Sequence, residues 1–158
     1  VRLLGDMRSY NFVVDITPDI EDFQYRIRAI DFDQQSYEGR KNLYLPQFFK
    51  ENNPLVQTTL KYLNSDSIAQ YQTEERTMMA FRLVSARYRI KELLDTMGRD
   101  QISTPEKIHQ LAGELAEFHG NVALRKTHTM GKLVKQHLKV CLRKNLLMIP
   151  RFQGRFED

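Results

Sequence analysis

The sequence predicts an α+β fold that is mainly helical, with a short antiparallel β-hairpin near the N-terminus packed on a helical bundle. Two short apolar runs with strand character lie within the first 33 residues, on either side of an acidic connection. Beyond them, apolar residues recur every three or four positions, as in helices with one buried side. The 158 residues suffice for one domain with a sizeable core. We expect a single domain over 1–158, with the hairpin at 1–33, the helical part at 34–145 and a tail at 146–158.

The two strands of the hairpin are predicted from Phe12 to Ile16 and from Tyr25 to Phe32. The first run is rich in β-branched residues, and Pro18, which has no N–H to donate to a ladder, marks its end. The second run alternates between apolar and charged residues, which indicates a strand with one partly solvated face. The connection between them is longer than a tight hairpin turn.

The strongest helical pattern covers residues 73–97. Its apolar residues are spaced alternately four and three positions apart, which predicts one continuous helix. Gly98 follows and can adopt the left-handed conformation that often ends a helix. The stripe consists of Met79, Leu83, Ala86, Ile90, Leu93 and Met97.

Other helices are predicted from their start and stop signals. An Asn-Pro pair at 53–54 is typical of a helix start, and a short helix is expected before it, through Phe49. A Thr-Pro-Glu segment at 104–106 begins the next helix, and Gly120 ends it. A last helix is expected over 129–145. The residues predicted to face inward from these last two helices are Ile108, Leu111, Ala112, Leu115 and Phe118, and then Met130, Leu133, Val134, His137, Val140 and Cys141.

The basic character of the chain is concentrated at its C-terminal end. The whole chain carries a net charge of +4, while residues 121–158 hold nine Lys or Arg against two Asp or Glu. A basic stripe is predicted on the outer side of the last helix, at Lys132, Lys135, Lys139 and Arg143. Two interpretations remain open: a solvated helix face, or a contact surface for an acidic partner such as a phosphate-bearing ligand, a nucleic acid or a membrane.

The sequence favours a cytoplasmic location. Its one cysteine, Cys141, cannot form an internal disulfide, and no apolar run approaches the ~20 residues that cross a bilayer. The four histidines lack the His-x3-His and His-Glu-x2-His spacings of metal sites. We therefore expect surface or core roles for the histidines and a buried, unreactive Cys141.

Polar residues at the ends of the two predicted strands indicate a binding site. Asp6 and Asn11 precede the first strand, and Asp31 lies near the end of the second, so a hairpin can bring them together. Carboxylate and amide oxygens suit Mg²⁺, which fills the rest of its coordination shell with water and substrate phosphate. A carboxylate that does not bind the metal can deprotonate a hydroxyl group. A neighbouring cation, Arg8, can bind a phosphate.

These residues resemble a known constellation. Residues 5–15 read Gly-Asp-Met-Arg-Ser-Tyr-Asn-Phe-Val-Val-Asp, and they look like the catalytic loop and following strand of the protein-kinase-like superfamily. The resemblance is strongest to the aminoglycoside phosphotransferase and choline kinase branch. Residues 30–33, Ile-Asp-Phe-Asp, look like the metal-binding motif of that branch, the counterpart of Asp-Phe-Gly in protein kinases.

The resemblance implies a phosphotransferase that moves phosphate from Mg-ATP to a hydroxyl group of a small-molecule substrate. It implies Asp6 as the catalytic base, with Arg8 facing phosphate. It further implies that Asn11 and Asp31 bind the cofactor, and that Asn11, Asp31 and Asp33 hold Mg²⁺. The mainly helical remainder is similar to a kinase-like C-terminal lobe.

The sequence also departs from the family pattern. Leu4 stands where the motif has histidine, and this sequence contains no glycine-rich loop or strand lysine of an N-terminal lobe. We therefore expect a fragment of a larger two-lobed protein, inactive or nearly so by itself. The alternative is a non-catalytic helical interaction module, or a pseudokinase, whose basic last helix binds an acidic partner. Taken singly, the Asp and Asn residues are also compatible with ordinary turns and strand ends.

Overall fold

Two β-strands and five α-helices make up the part of the protein that a computed structural model describes, residues 1–100 (Asp100 by its backbone) and 103–149. The strands are β1 (Phe12–Pro18) and β2 (Phe23–Ala29). The helices are α1 (Asn53–Tyr62), α2 (Ser65–Ser85), α3 (Arg87–Asp100), α4 (Pro105–His119) and α5 (Met130–Leu147). The predicted fold class, mainly helical α+β with an antiparallel hairpin near the N-terminus, is confirmed.

The hairpin pairs β1 and β2 in antiparallel register, from Phe12 opposite Ala29 to Pro18 opposite Phe23. β2 ends at Ala29 and not at Phe32 as predicted, because Asp31 takes a φ of 63°, which a strand cannot continue through. Most of both faces is in contact with solvent, including Ile27, which is 72% exposed, so the prediction of one covered face is wrong. The half-buried strand residues are Phe12, Asp15 and Ala29. The hairpin therefore meets the helical part mainly at its base.

Three short 3-10 turns connect the hairpin to α1 where a single short helix was predicted. They cover Lys41–Tyr44, Pro46–Phe48 and Lys50–Asn52. The predicted start of α1 at 53–54 is confirmed, with Pro54 in the first turn. The side chain of Asn52, the residue before the helix, makes no capping bond there, because it is used elsewhere.

The prediction of one helix over 73–97 is wrong, since α2 and α3 share this region. α2 begins at Ser65, where the side-chain oxygen of Asn64 accepts the N–H of Ser67 at 2.8 Å. Ala86 separates the helices with φ −101° and ψ 18°, outside the helical range. Both helices pack on α5. The apolar spacing is nearly continuous across the break, which explains why the sequence pattern did not reveal it.

Gly98 does not cap a helix, contrary to the prediction, because α3 continues through it to Asp100. Of the glycines in the described ranges, Gly120 is the one with a left-handed φ, 61°. The start of α5 crosses α3 closely at this point. A Cβ atom on Gly131 would lie 2.6 Å from the carbonyl oxygen of Leu94 and 3.1 Å from the backbone nitrogen of Gly98.

α4 has the predicted boundaries. The Thr104 hydroxyl accepts the N–H of Lys107 at 3.3 Å, and Gly120 ends the helix in the left-handed conformation. The predicted inner side is confirmed except at Phe118, which is 59% exposed. The ammonium group of Lys41 lies 5.2 Å from the centre of the Phe118 ring, so this ring contacts a cation at the surface.

The core forms two clusters along α5. The first lies between α4, α5 and the turn Val122–Lys126, with Leu111, Leu124 and Leu133 fully buried. The second joins α2 to the C-terminal half of α5 and contains Ala80, Leu142, Leu146 and Ile149. The expected tail at 146–158 thus begins inside a buried helix, while residues 150–158 lie outside the described ranges. No helix in residues 1–100 and 103–149 is long and apolar enough to span a membrane.

The contact between α3 and α5 can be tested with two glycine substitutions. Gly131→Ala should lower the free energy of unfolding by about 1–3 kcal/mol, because the new methyl group meets backbone atoms that cannot move aside. Gly98→Ala should raise it by about 0.5–1 kcal/mol, because Ala favours a helix interior more than Gly does. No heavy atom lies within 4 Å of the Cβ added at Gly98. Urea denaturation followed by circular dichroism measures both changes. If Gly98→Ala instead lowered the free energy of unfolding, Gly98 would have the left-handed φ of a helix cap, in which Ala is strained.

Candidate functional site

The loop before β1 lies against the segment that follows β2. Ser36 donates its N–H to the carbonyl oxygen of Leu3 at 2.9 Å, and the Gln35 side chain donates to the carbonyl oxygen of Arg2 at 3.1 Å. Gly5 permits the close approach, because a Cβ there would lie 2.5 Å from the carbonyl oxygen of Gln34. These contacts bring the two polar segments of the sequence, 5–11 and 31–36, side by side.

Asn52 joins this loop to the helical part. Its side chain is 3% exposed and makes three hydrogen bonds. Its Oδ1 accepts the N–H of Ser9 at 2.7 Å, and its Nδ2 donates to the carbonyl oxygens of Met7 at 2.7 Å and Pro46 at 2.8 Å. One buried amide therefore fixes the backbone on both sides of Arg8.

Asp6 and Arg8 form an ion pair within the loop. The Arg8 Nη1 lies 2.5 Å from the Asp6 Oδ1, and the Arg8 Nε lies 3.4 Å from Glu51. Asp6 has a φ of 47°, so its backbone is in the left-handed region that Asp and Asn tolerate better than most residues. Asn11 donates from Nδ2 to the carbonyl oxygen of Asp6 at 2.9 Å, which closes the loop. An amide that donates through Nδ2 keeps its Oδ1 to offer to a cation.

Asp31 and Asp33 interact with each other in the segment that follows β2. A hydrogen bond that the protonated Asp31 donates to the Asp33 carboxylate, and the like charge of that carboxylate, raise the pKa of the Asp31 carboxyl above its usual range, and the charge of Asp6 adds to the effect. Ile30, next to Asp31, donates its N–H to the carbonyl oxygen of Asn11 at 2.8 Å. The like charge of Asp33 is the part of this shift that a bound cation would relieve.

The structure thus brings the predicted site residues to one end of the hairpin. Asp6, Arg8 and Asn11 are linked by hydrogen bonds, and Asp31 interacts with Asp33 and electrostatically with Asp6. Their oxygens are the ligand type that Mg²⁺ prefers, but the carboxylates of Asp6, Asp31 and Asp33 do not lie close enough together for all three to hold one ion. That Asn11, Asp31 and Asp33 hold one ion together stays a prediction.

An apolar cavity of about 540 Å³ adjoins this end of the hairpin. Residues of α2, α3 and α5 line most of it, and the rest is lined by Arg2, Phe32, Asp33, Gln35, Ser36, Tyr37 and Ser103. The helical lining includes five residues of the apolar stripe predicted over 73–97: Met79, Leu83, Ile90, Leu93 and Met97. Leu93 is 61% exposed there. Part of the predicted helical core is therefore a wall that faces open space.

A second cluster of polar side chains was missed by the sequence analysis. His119, His137 and Cys141, here called the His–Cys cluster, have ligand atoms that all lie within 4.8 Å of one another. It is the one group of three or more His, Cys, Asp or Glu side chains in the described ranges close enough to hold one ion. The available signal was His137-x3-Cys141, which places both residues on one helix face. His119 comes from another helix, and spacing along the chain cannot reveal that contact.

Burial determines the protonation of the His–Cys cluster. Removal from water lowers the pKa of His137 to about 3, and nearby positive charge adds to the shift, so this imidazole is neutral at ordinary pH. Burial also lowers the pKa of His119 and raises the pKa of the Cys141 thiol. His137 and Cys141 face inward, as predicted.

Comparisons with protein families, with curated proteins and with solved structures found no match to this chain. The interpretation of the site therefore depends on its own residues.

Substitution of Asn52 tests the anchoring of the site loop. Asn52→Ala should lower the free energy of unfolding by about 2–4 kcal/mol, because it leaves part-buried backbone groups of Met7, Ser9 and Pro46 without their partner. Asn42→Ala, at an exposed position of a neighbouring turn, is the matched control and should change stability by less than about 0.5 kcal/mol. Chemical denaturation measures both variants. Equal changes in the free energy of unfolding for the two variants would show that Asn52 does not anchor the loop.

Proposed function

We propose that this chain is the C-terminal lobe of a kinase-like phosphotransferase that uses Mg-ATP to phosphorylate a hydroxyl group of a small molecule. The observation that carries the proposal is that Asn11 bonds to the backbone of Asp6, and the charge of Asp6 acts on Asp31, in the chain order of the motif that the sequence resembles. Bound Mg²⁺ would neutralise the charge that develops on the transferred phosphate.

The acidic residues have separable roles in this proposal. Asp31 and Asp33, with the Oδ1 of Asn11, would hold the metal, and their mutual repulsion favours an added cation. Asp6 would orient and deprotonate the acceptor hydroxyl group. Its ion pair with Arg8 fixes the carboxylate while no substrate is bound, and a phosphate group would compete with Asp6 for the guanidinium.

The exposed hairpin is consistent with a C-terminal lobe that needs a second lobe to complete its nucleotide cleft. Valines, isoleucines and aromatic residues of β1 and β2 face solvent, including Val14, Ile16, Tyr25 and Ile27. A missing N-terminal lobe would cover them and supply the rest of the nucleotide cleft. Under this proposal the cavity beside Asp33 accommodates an apolar part of the nucleotide or of the acceptor.

Asp31→Asn provides the first test, in the longest natural form of the protein. Removing one carboxylate charge from the metal site should weaken Mg²⁺-dependent ATP binding by about tenfold or more, which corresponds to about 1.4 kcal/mol. Isothermal titration with ATP, with and without Mg²⁺, measures the effect. Glu21→Gln, at an exposed position in the same hairpin, should leave the affinity unchanged. Binding that depends on neither Mg²⁺ nor Asp31 would contradict the metal assignment.

Asp6→Asn separates chemistry from binding. The variant should retain Mg-ATP affinity and lose phosphate transfer by about 100-fold or more, because a general base contributes on that order. Single-turnover transfer from radiolabelled ATP to a panel of hydroxyl-bearing small molecules measures the rate. A variant as fast as the wild type would show that Asp6 is not the base.

A non-catalytic role remains the second candidate, and the outer side of α5 favours it. Lys132, Lys135 and Arg143 are exposed on this helix, while Lys139 is half-buried and interacts with a neighbouring group. An acidic protein surface would fit the exposed charges. The predicted stripe is thus confirmed as a surface at three of its four positions, and its partner stays a proposal.

Charge reversal tests the acidic partner. Changing Lys132, Lys135 and Arg143 together to Glu should abolish binding to an oligoglutamate peptide at low salt, because attraction becomes repulsion. The control reverses Lys50, Lys61 and Arg89, which are exposed elsewhere and give the same change in net charge. Fluorescence anisotropy of the labelled peptide measures both. Equal losses in the two triple variants would indicate a response to overall charge only.

A further inference from the structure

The His–Cys cluster joins two helices that are separate in the sequence. His119 is the last residue of α4, while His137 and Cys141 lie one turn apart on α5. His137 is 3% exposed, and His119 and Cys141 are half-buried. Two ligands are therefore fixed by one rigid helix, and the third reaches them from a neighbouring helix end.

The distances within the cluster match the edges of a tetrahedral metal site. Zinc bonds of about 2.05 Å to nitrogen and about 2.3 Å to sulfur give edges of about 3.3 Å between two nitrogens and about 3.6 Å between nitrogen and sulfur. The His119 Nε2 lies 3.3 Å from the His137 Nδ1. The Cys141 Sγ lies 3.8 Å from each of these two nitrogens. One choice of ligand atoms thus satisfies all three edges to within about 0.2 Å.

The chemistry of the three groups favours zinc over a hard cation. Neutral imidazole and thiolate are ligands for Zn²⁺, whereas Mg²⁺ prefers oxygen. Zinc binding displaces the proton of the Cys141 thiol to solvent. The amino group of Val1 and, to a lesser extent, Arg76 of α2 contribute positive charge at His119 and Cys141, which opposes a cation and favours the thiolate.

We propose that His119, His137 and Cys141 form a zinc site that clamps the C-terminal end of α4 to α5. Three protein ligands leave the fourth tetrahedral position for water or another ligand. His119 is the more solvent-accessible of the two histidines, so the metal enters from its side. The site is separate from the carboxylates at the hairpin, and it does not depend on the proposed phosphotransferase function.

Zinc binding to the reduced 158-residue chain provides the test, by competition with a chromophoric chelator. We expect one zinc ion per chain, and Cys141→Ser and His119→Gln should each weaken binding by at least about 100-fold, more than the loss of an outer-shell contact costs. His109→Gln is the matched control, because His109 is exposed on the same helix as His119. Absence of stoichiometric binding, or equal affinity in all variants, would overturn the site.

Two further measurements report on the ligands directly. Co²⁺ in the same site should give the intense visible bands of tetrahedral cobalt and a sulfur-to-metal charge-transfer band that Cys141→Ser removes. Because Cys141 is the only cysteine in the sequence, the rate of alkylation by iodoacetamide measures the reactivity of this thiol alone. Zinc should slow alkylation of the wild type and not of His119→Gln, which keeps the thiol in place. If zinc did not change the alkylation rate of the wild type, the three side chains would be connected by hydrogen bonds alone. This result would refute the proposal.

Discussion

The buried side of α5 is the surface on which the helical part is assembled. Leu133 and Leu142 are fully buried on it, one in each core cluster, and α2, α3 and α4 pack around it. Burial of such side chains stabilises a fold by roughly 1.5–3 kcal/mol each. The same helix carries two residues of the His–Cys cluster, and its outer side carries the basic charges. Packing, the proposed zinc site and the candidate partner surface thus depend on the orientation of one helix.

Sequence patterns were sufficient where a helix has both an apolar side and a terminal signal. α4 was predicted almost to its boundaries, because Thr104 and Gly120 act locally through their own backbone and side-chain chemistry. The break at Ala86 was missed because the apolar spacing continues across it. Gly98 was misassigned because α3 continues through it, at the point where α5 crosses with Gly131, 33 positions away in the sequence. A residue's role in a crossing of two helices is set by tertiary contact, which no local pattern contains.

The two candidate sites also differed in how far the sequence could predict them. The sequence could predict that Asp6, Asn11 and Asp31 lie near the same end of the hairpin, because a hairpin brings its own ends together, while their roles stay a prediction. Their anchor could not, since Asn52 resembles an ordinary helix cap in the sequence, and its bonds to Met7 and Ser9 are long-range. The His–Cys cluster combines a local pair with a distant residue. Two ligands on one helix are too common a pattern to indicate a site without the third.

The exposure of the hairpin has a consequence for its dynamics. A two-stranded sheet with both faces in solvent is marginal by itself. Its order therefore depends on the bonds at its base, including the one from Ile30 to Asn11. Such a unit can open locally while the helical core stays folded, so its amide protons should exchange with solvent well before those of α5. The carboxylates beside it would then be rigid only while the hairpin is closed, and whatever covers β1 and β2 would also hold the acidic residues in place.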